Sequence, residues 1–428
     1  MIWYPYTAQK NFENPLKIVR AKSEFLYDED GNEYIDAISS WWISIHGHNH
    51  PYIINSIKEE LDKLDHVLLA GCTNNKAEIL ANKLIEFTEN HFHSVFYSDN
   101  GSCAVEIAIK IAYQYFTNTG KIRNQIIHFS DSYHGDTIGT MSVAGMSKYN
   151  SIFKNLFFQS PEFNSPDCSY CPVGKIKERC KEECLDKLIQ YIETNKDDIF
   201  AIIIEPLIQG ANGMKIYKKE VLQKLSKICK DNEIIFILDE VFTGFGRTGS
   251  KFAFMEAGII PDIISLAKGL SGGVLPLAAT LINKKVYDGF YSEKKEHIFF
   301  HGHTMTGNPP ACAGALASIE LFETENRLED VKILEFYLKK MLKKLCMDMG
   351  EMILSPRVLG GVCAFEIKYP ERFNVSFFKK RCIDLGVVLR PLGSTIYIAP
   401  SYTISTNSLS KIFNIIQFVL KEMENLEN

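Results

Sequence analysis

Through the middle of the chain, brief apolar runs alternate with longer helical patterns. Val95-Phe96-Tyr97-Ser98, Gln125–Phe129, Ala201–Ile204, Ile234–Leu238, Asp262–Leu266 and Leu277–Ile282 are short and rich in β-branched or aromatic residues. Such runs read as strands. Ala104–Phe116 carries a helical pattern between the first two. Continuously apolar strands separated by helices predict a mostly parallel sheet covered on both faces.

The two ends lack this alternation. Asp28-Glu29-Asp30-Gly31-Asn32 is a hairpin turn signal between Glu24–Tyr27 and Tyr34–Ile35. A helix is expected over Pro51–Leu64. Near the C-terminus, Asp330–Met349 and Ser408–Glu424 read as helices, with short strands at Cys363–Ile367, Gly386–Leu389 and Thr395–Ile398. The last hundred residues thus predict an α+β cap whose partner is the N-terminal segment. The expected division is 1–50, 51–325 and 326–428, without an internal repeat or low-complexity linker.

A chain of 428 residues has room for one large domain and a smaller one. Lys and Arg number 47 against 52 Asp and Glu, a net charge of -5, so there is no overall basic field for nucleic acid. No apolar run reaches the roughly 20 residues that span a bilayer. The opening Met1–Tyr6 lacks the basic and apolar regions of a signal peptide. A cytoplasmic protein is expected, without nucleic-acid or membrane partners. The eleven cysteines, an odd number, argue against a closed disulfide framework. Cys103, Cys312 and Cys382 sit in apolar stretches, as small buried thiols do.

Ligands of open parallel sheets bind at the carboxyl ends of the strands. Four such ends carry chemistry. At Ser98-Asp99-Asn100-Gly101-Ser102, glycine permits close backbone approach and a helix N-terminus offers amides to a phosphate; the alternative is an ordinary turn with Ser102 as N-cap. At Asp239-Glu240, two acids follow an apolar strand and need partners. Asp239 suits a protonated pyridine nitrogen, an N-cap or a metal. Lys268 ends another apolar run, where desolvation favours the neutral, nucleophilic amine over a lysine that snorkels to water. Gly269, Gly272 and Gly273 leave room beside it. Tyr133-His134 offers an aromatic ring for stacking, or an ordinary loop.

Two stretches, Leu238-Asp239-Glu240-Val241-Phe242-Thr243-Gly244-Phe245-Gly246-Arg247-Thr248-Gly249 and Pro261-Asp262-Ile263-Ile264-Ser265-Leu266-Ala267-Lys268-Gly269, resemble the class III (fold type I) pyridoxal-phosphate-dependent aminotransferases over nearly the whole chain. The resemblance implies an α/β fold, with a mostly parallel seven-stranded sheet between helices and a smaller α+β domain drawn from both termini. It implies pyridoxal 5'-phosphate held as a Schiff base on Lys268, which also moves the proton. Asp239 would bind the pyridine nitrogen, Gly101 and Ser102 the phosphate, and Tyr133 the ring. Thr304, with His303 and Gly302 beside it, would reach the neighbouring subunit's site, making the protein a homodimer. Other members often have proline where this chain has His303.

Further motifs are similar to a branch of that class that takes S-adenosylmethionine as donor and 8-amino-7-oxononanoate as acceptor in biotin biosynthesis. They are Trp3-Tyr4-Pro5-Tyr6-Thr7, Ser40-Trp41-Trp42, His46-Gly47-His48-Asn49-His50-Pro51, Tyr133-His134-Gly135-Asp136-Thr137 and Arg390-Pro391-Leu392-Gly393. On this likeness Tyr6, Trp41 and Trp42 form an aromatic wall, Arg390 takes the acceptor's carboxylate, and Asp136 and Arg247 lie beside the cofactor. The other reading of the tryptophans is core packing; all three fall in the first 42 residues, which favours one shared site. Lysine as donor, an ω-amino acid or diamine transaminase, and a cofactor-binding paralogue without turnover are the competing readings. Cys168-x2-Cys171-x8-Cys180-x3-Cys184 has near-metal spacing. It lies in a polar stretch outside the catalytic pattern; a zinc site is the minor reading, and no metal is assigned.

Overall fold

The computed structural model describes residues 2–11, 15–147 and 149–427. Its main sheet has seven strands: β1 (Ser94–Ser98), β2 (Gln125–Phe129), β3 (Glu162–Phe163), β4 (Ile199–Ile204), β5 (Ile235–Asp239), β6 (Ile263–Leu266) and β7 (Ala278–Ile282). Their order is β1-β7-β6-β5-β4-β2-β3. Strand β4 is buried along its whole length, as an all-apolar run at the centre of a doubly covered sheet must be. One face packs on the helix Gly101–Asn118 through Ile107, Ile111 and Phe116. The other face joins the larger core that runs on into the C-terminal region.

The sheet is parallel except for β7, which is antiparallel to both β6 and β1. The reason is local. Between Leu266 and Ala278 the chain makes only a 3-10 turn, Lys268–Ser271. A parallel return needs a crossover of a dozen or more residues, usually with a helix, so the chain doubles back on its neighbour.

The two ends of the chain share a sheet. Phe25–Asp28 and Glu33–Asp36 form the expected hairpin, its turn held by Asp28, which accepts from the amides of Asp30 and Asn32. Val387–Val388 then pairs in parallel with Glu33–Asp36. Ile353–Leu359, Val362–Ile367 and Thr395–Ile398 make a second, antiparallel sheet. Helices Arg327–Met349 and Thr406–Glu427 cover this region. Among the described residues no helix is long and apolar enough to cross a membrane.

Candidate active site

The carboxyl ends of β5 and β6 lie side by side, with Asp239 in register with Ser265. Asp239 closes one strand, and Lys268 follows the other within a turn. Both line a cavity of about 710 Å³. Lys268 holds a left-handed φ of 43°, and Gly272 and Gly273, at φ 61° and 82°, complete the turn. Its Nζ lies 4.8 Å from the ring centroid of Trp42 and 5.7 Å from that of Phe242. Burial lowers the lysine to about 8, against the pull of the carboxylates Asp239 and Glu205. Desolvation therefore wins, and half of the amine is already neutral at a pH of about 8.

Asp239 is 4% exposed. Its Oδ1 accepts from the amide of Val241 at 3.0 Å, and its Oδ2 faces His134 Nδ1 at 2.7 Å. The alternative of a helix cap is thus met only by a local turn bond. Glu205, at the end of β4, accepts from the amides of Tyr133 and Gly210, each at 3.0 Å. Burial pushes its carboxyl up to about 7. Neither Glu205 nor His134 stood out as a site residue in the sequence. The signal for Glu205 was present, since it directly follows the apolar run 201–204, as Asp239 follows its own.

The helix Gly101–Asn118 points its N-terminus into the cavity. Its cap is Asn100, whose side chain accepts from the amide of Cys103 at 2.9 Å, not Ser102. Gly101 and Ser102 stand in the first turn, where amides have no acceptor within the helix. Glycine is required at 101, because a Cβ there would come 2.8 Å from Val241 Cγ1. Ser102 Oγ accepts from the Asp136 amide at 3.1 Å.

The mouth is aromatic. Tyr6 meets Trp41 edge-on, ring centroids 5.7 Å apart, and donates its hydroxyl to Asp136. Tyr133 lines the same cavity, its phenol pushed upward by burial and by Tyr6. Arg390 lays its guanidinium carbon 3.8 Å from the ring centroid of Trp41, and no ion pair to it is found among the described residues. Trp42 does both things expected of a tryptophan here. It lines the cavity, yet it is buried against Phe242 and Tyr397. Trp3 does not join them; it is 85% exposed and outside the cavity lining.

Four expected residues lie outside this lining. Arg247 is buried and donates to the carbonyls of Gly361 and Pro400 and to Ser39 Oγ, so it braces the two ends of the chain. Gly302, His303 and Thr304 lie on a loop beyond the cavity, with Gly302 and Thr304 exposed. The amide of His303 donates to Thr306 Oγ1. Of the three thiols expected to be buried, Cys312 and Cys382 are so, while Cys103 is half-buried. Cys168, Cys171, Cys180 and Cys184 are not joined in disulfides. Burial, then the neighbouring Cys180, Cys171 and Cys168, pushes Cys184 up to about 12. Among the described residues no group of three or more His, Cys, Asp or Glu is placed to hold a metal.

The sequence profile of the family described as "Aminotransferase class-III" matches residues 6–420. The chain belongs to the class III aminotransferases. Within that class it is 38% identical over 426 residues to the adenosylmethionine-8-amino-7-oxononanoate aminotransferase of Geobacter sulfurreducens, covering 95% of this chain and 93% of that one. It is 37% identical over 447 residues to the enzyme of the same name from Methanocaldococcus jannaschii, covering 99% and 96%. The crystal structure of the latter superimposes with a TM-score of 0.90 over 98% of this chain and 97% of that one. An amine transaminase from an uncultivated Pseudomonas species, in its PLP-bound form, is 27% identical with a TM-score of 0.93 over 99% and 98%.

This class III aminotransferase uses pyridoxal phosphate, and its cavity fits that group. A buried carboxylate suits a protonated ring nitrogen. An amine of lowered affinity for protons suits a carbonyl carbon. The first turn of an 18-residue helix, kept open by Gly101, suits a phosphate.

Proposed function

We propose that this protein transfers an amino group from S-adenosylmethionine to 8-amino-7-oxononanoate, giving 7,8-diaminononanoate for biotin synthesis. The observation that carries this reading is the mouth of the cavity, where Arg390, free of any ion pair found among the described residues, sits over the Trp41 ring, which Tyr6 meets edge-on. Such a surface offers a planar, electron-rich wall to an adenine and a forked cation to a carboxylate. Full-length relatives that bear the name of this reaction support it.

When bound, pyridoxal phosphate supplies a carbonyl that captures amines and an electron sink for charge on the substrate carbon. The residues do the rest. Gly101 and Ser102 would hold the phosphate, and Tyr133, which lines the same cavity, would offer its ring to the cofactor. Asp239, itself held by His134, would keep a positive charge on the ring nitrogen. Lys268 takes a proton at Nζ from one carbon and returns it to another, which its value of about 8 permits in both directions. Asp136 and Tyr6 hold each other at the entrance.

In this reading residues 51–325 carry the cofactor, and 1–50 with 326–428 form a smaller unit that closes the substrate side. Two chains pair, with Gly302, His303 and Thr304 of each reaching the other's phosphate. The buried side-chain nitrogen Nε2 of His303, which has no hydrogen-bond partner among the described residues, supports that contact. Arg247 acts on the substrate only through the segments that it braces. The protein works in the cytoplasm on small soluble substrates.

The test is spectroscopic. The purified protein, loaded with cofactor, is mixed with S-adenosylmethionine alone, with lysine alone, or with a simple amine alone. Loss of the visible band with S-adenosylmethionine only, and its return on adding 8-amino-7-oxononanoate, is the expected result. A band that responds to lysine or to simple amines, and not to S-adenosylmethionine, overturns the donor assignment.

A further inference from the structure

Behind Lys268, on the side away from the cavity, three buried polar side chains stand in a line. Arg327, first residue of the helix Arg327–Met349, donates Nε to His46 Nδ1 at 3.1 Å. His46 Nε2 faces Ser318 Oγ at 3.0 Å. Ser318 Oγ donates to the carbonyl of Gly269 at 3.1 Å. All three are at most 5% exposed. They come from three separate stretches of the chain, and their line ends on the carbonyl of Gly269, the residue after Lys268.

The direction of this line is forced. A guanidinium donates and never accepts. His46 Nδ1 must therefore carry the lone pair and Nε2 the hydrogen. That hydrogen goes to Ser318 Oγ, which leaves the serine only one choice, to donate onward. A serine within a helix ordinarily returns its hydrogen to the carbonyl four residues back; here it reaches out of its helix to Gly269. His46 is kept neutral by its burial and by the charge of Arg327, with His50 adding to it. Arg327 is in turn fixed by Asp330 at 2.7 Å and by Glu325. Packing leaves no slack, since a Cβ on Gly272 would meet Ile53 Cδ1 at 2.7 Å, His46 Cδ2 at 3.4 Å and Ser318 Oγ at 3.5 Å.

We propose that Arg327, His46 and Ser318 form a one-way hydrogen-bond relay that fixes the Gly269 carbonyl and so holds Lys268 in its left-handed, buried position. They are positioning residues, and the proposal rests on the reading of Lys268 as the reactive amine. A non-glycine residue at φ 43° returns to commoner backbone angles unless its surroundings prevent it. Here the restraint acts on the carbonyl of the next residue, Gly269, which also accepts from the Gly272 amide at 3.1 Å and from Ser318 Oγ at 3.1 Å. If the relay is cut, the turn loosens and Nζ moves toward water, away from its enclosure by Trp42 and Phe242 and from the charges of Asp239, Glu205 and Arg247.

The experiment uses Ser318→Ala, His46→Asn and His46→Gln. Asparagine retains the acceptor for Arg327 but cannot reach Ser318, whereas glutamine keeps the donor to Ser318. In cofactor-free protein, the pH midpoint for chemical labelling of the Lys268 amine is read by peptide mass spectrometry. In loaded protein, kcat and KM are measured. Ser318→Ala and His46→Asn are expected to raise the labelling midpoint by about half a pH unit or more and to lower kcat about tenfold, with KM within about twofold. His46→Gln is expected to stay near wild type in both. Wild-type midpoint and kcat in Ser318→Ala would overturn the relay, and so would equal losses in His46→Gln and His46→Asn. A Lys268→Ala control separates the readings. If it is inactive while Ser318→Ala is normal, only the relay fails; if it turns over, the role of Lys268 itself fails.

Discussion

Lys268 is the residue from which the most can be derived. Its amine must be neutral to attack a carbonyl, and burial sets its midpoint at about 8. Below that pH the neutral fraction falls about tenfold per unit. The rate at which cofactor-free protein captures pyridoxal phosphate should therefore climb with pH and level off above about 8; a flat profile between pH 6 and 9 would contradict the assignment. Asp239→Asn should lower kcat by about a hundredfold or more, the scale of losing one preorganised charge, while steady-state KM changes little. Arg390→Ala should raise KM for 8-amino-7-oxononanoate by about tenfold to a hundredfold, as for a charged hydrogen bond worth about 1.5–3 kcal/mol. It should leave the S-adenosylmethionine half-reaction nearly untouched, which single-turnover absorbance would verify.

Individual residues were legible in the sequence where they broke a pattern. A charge at the end of an apolar run is an anomaly, and Asp239 and Lys268 were found by it. Arg247 is the opposite case. It sits in the most specific motif of the chain, yet it is spent on the carbonyls of Gly361 and Pro400, a use that no local pattern encodes. His46, Ser318 and Arg327 were equally silent, because their meaning lies in a contact across distant segments.

Among the elements, strands were easier to read than helices. The apolar strand runs correspond to real strands, but the reversal of β7 depends on the missing crossover rather than on its composition. The helix Pro309–Thr324 escaped notice because nearly every residue in it is buried, and a helix that is apolar all round shows no 3.6-residue stripe. The cap of the cofactor helix belongs to this scale as well. Asn100→Ala removes the side chain that receives the Cys103 amide, and should cost about 1 kcal/mol. Urea unfolding of the cofactor-free protein would register it, together with weaker binding of pyridoxal phosphate, because the same helix end is proposed to receive the phosphate.

For the whole molecule, the expectation that the C-terminal cap has the N-terminal segment as its partner rested on their common lack of alternation; the pairing of the strand Val387–Val388 with Glu33–Asp36 was not read from it. The second subunit is a matter for solution measurement. Sedimentation should give the mass of two chains, and Thr304→Ala should weaken cofactor binding without dissociating the pair.

The run Ser39, Ser40, Trp41 and Trp42 has φ values of 47°, 46°, 72° and 76°, four successive left-handed residues without a glycine. Left-handed backbone costs roughly 1–2 kcal/mol per residue. The run stands because Asp36 accepts from the Ser40 amide at 2.6 Å and Ser39 Oγ is tied to the Ala399 carbonyl. The proposed substrate wall is thus a property of its clamps as much as of its two indoles. Anyone wishing to transplant this specificity onto another transaminase scaffold would have to move Asp36 and the strand end at Ala399 along with the tryptophans. The pair of aromatic residues, moved alone, would relax into an ordinary loop and face elsewhere.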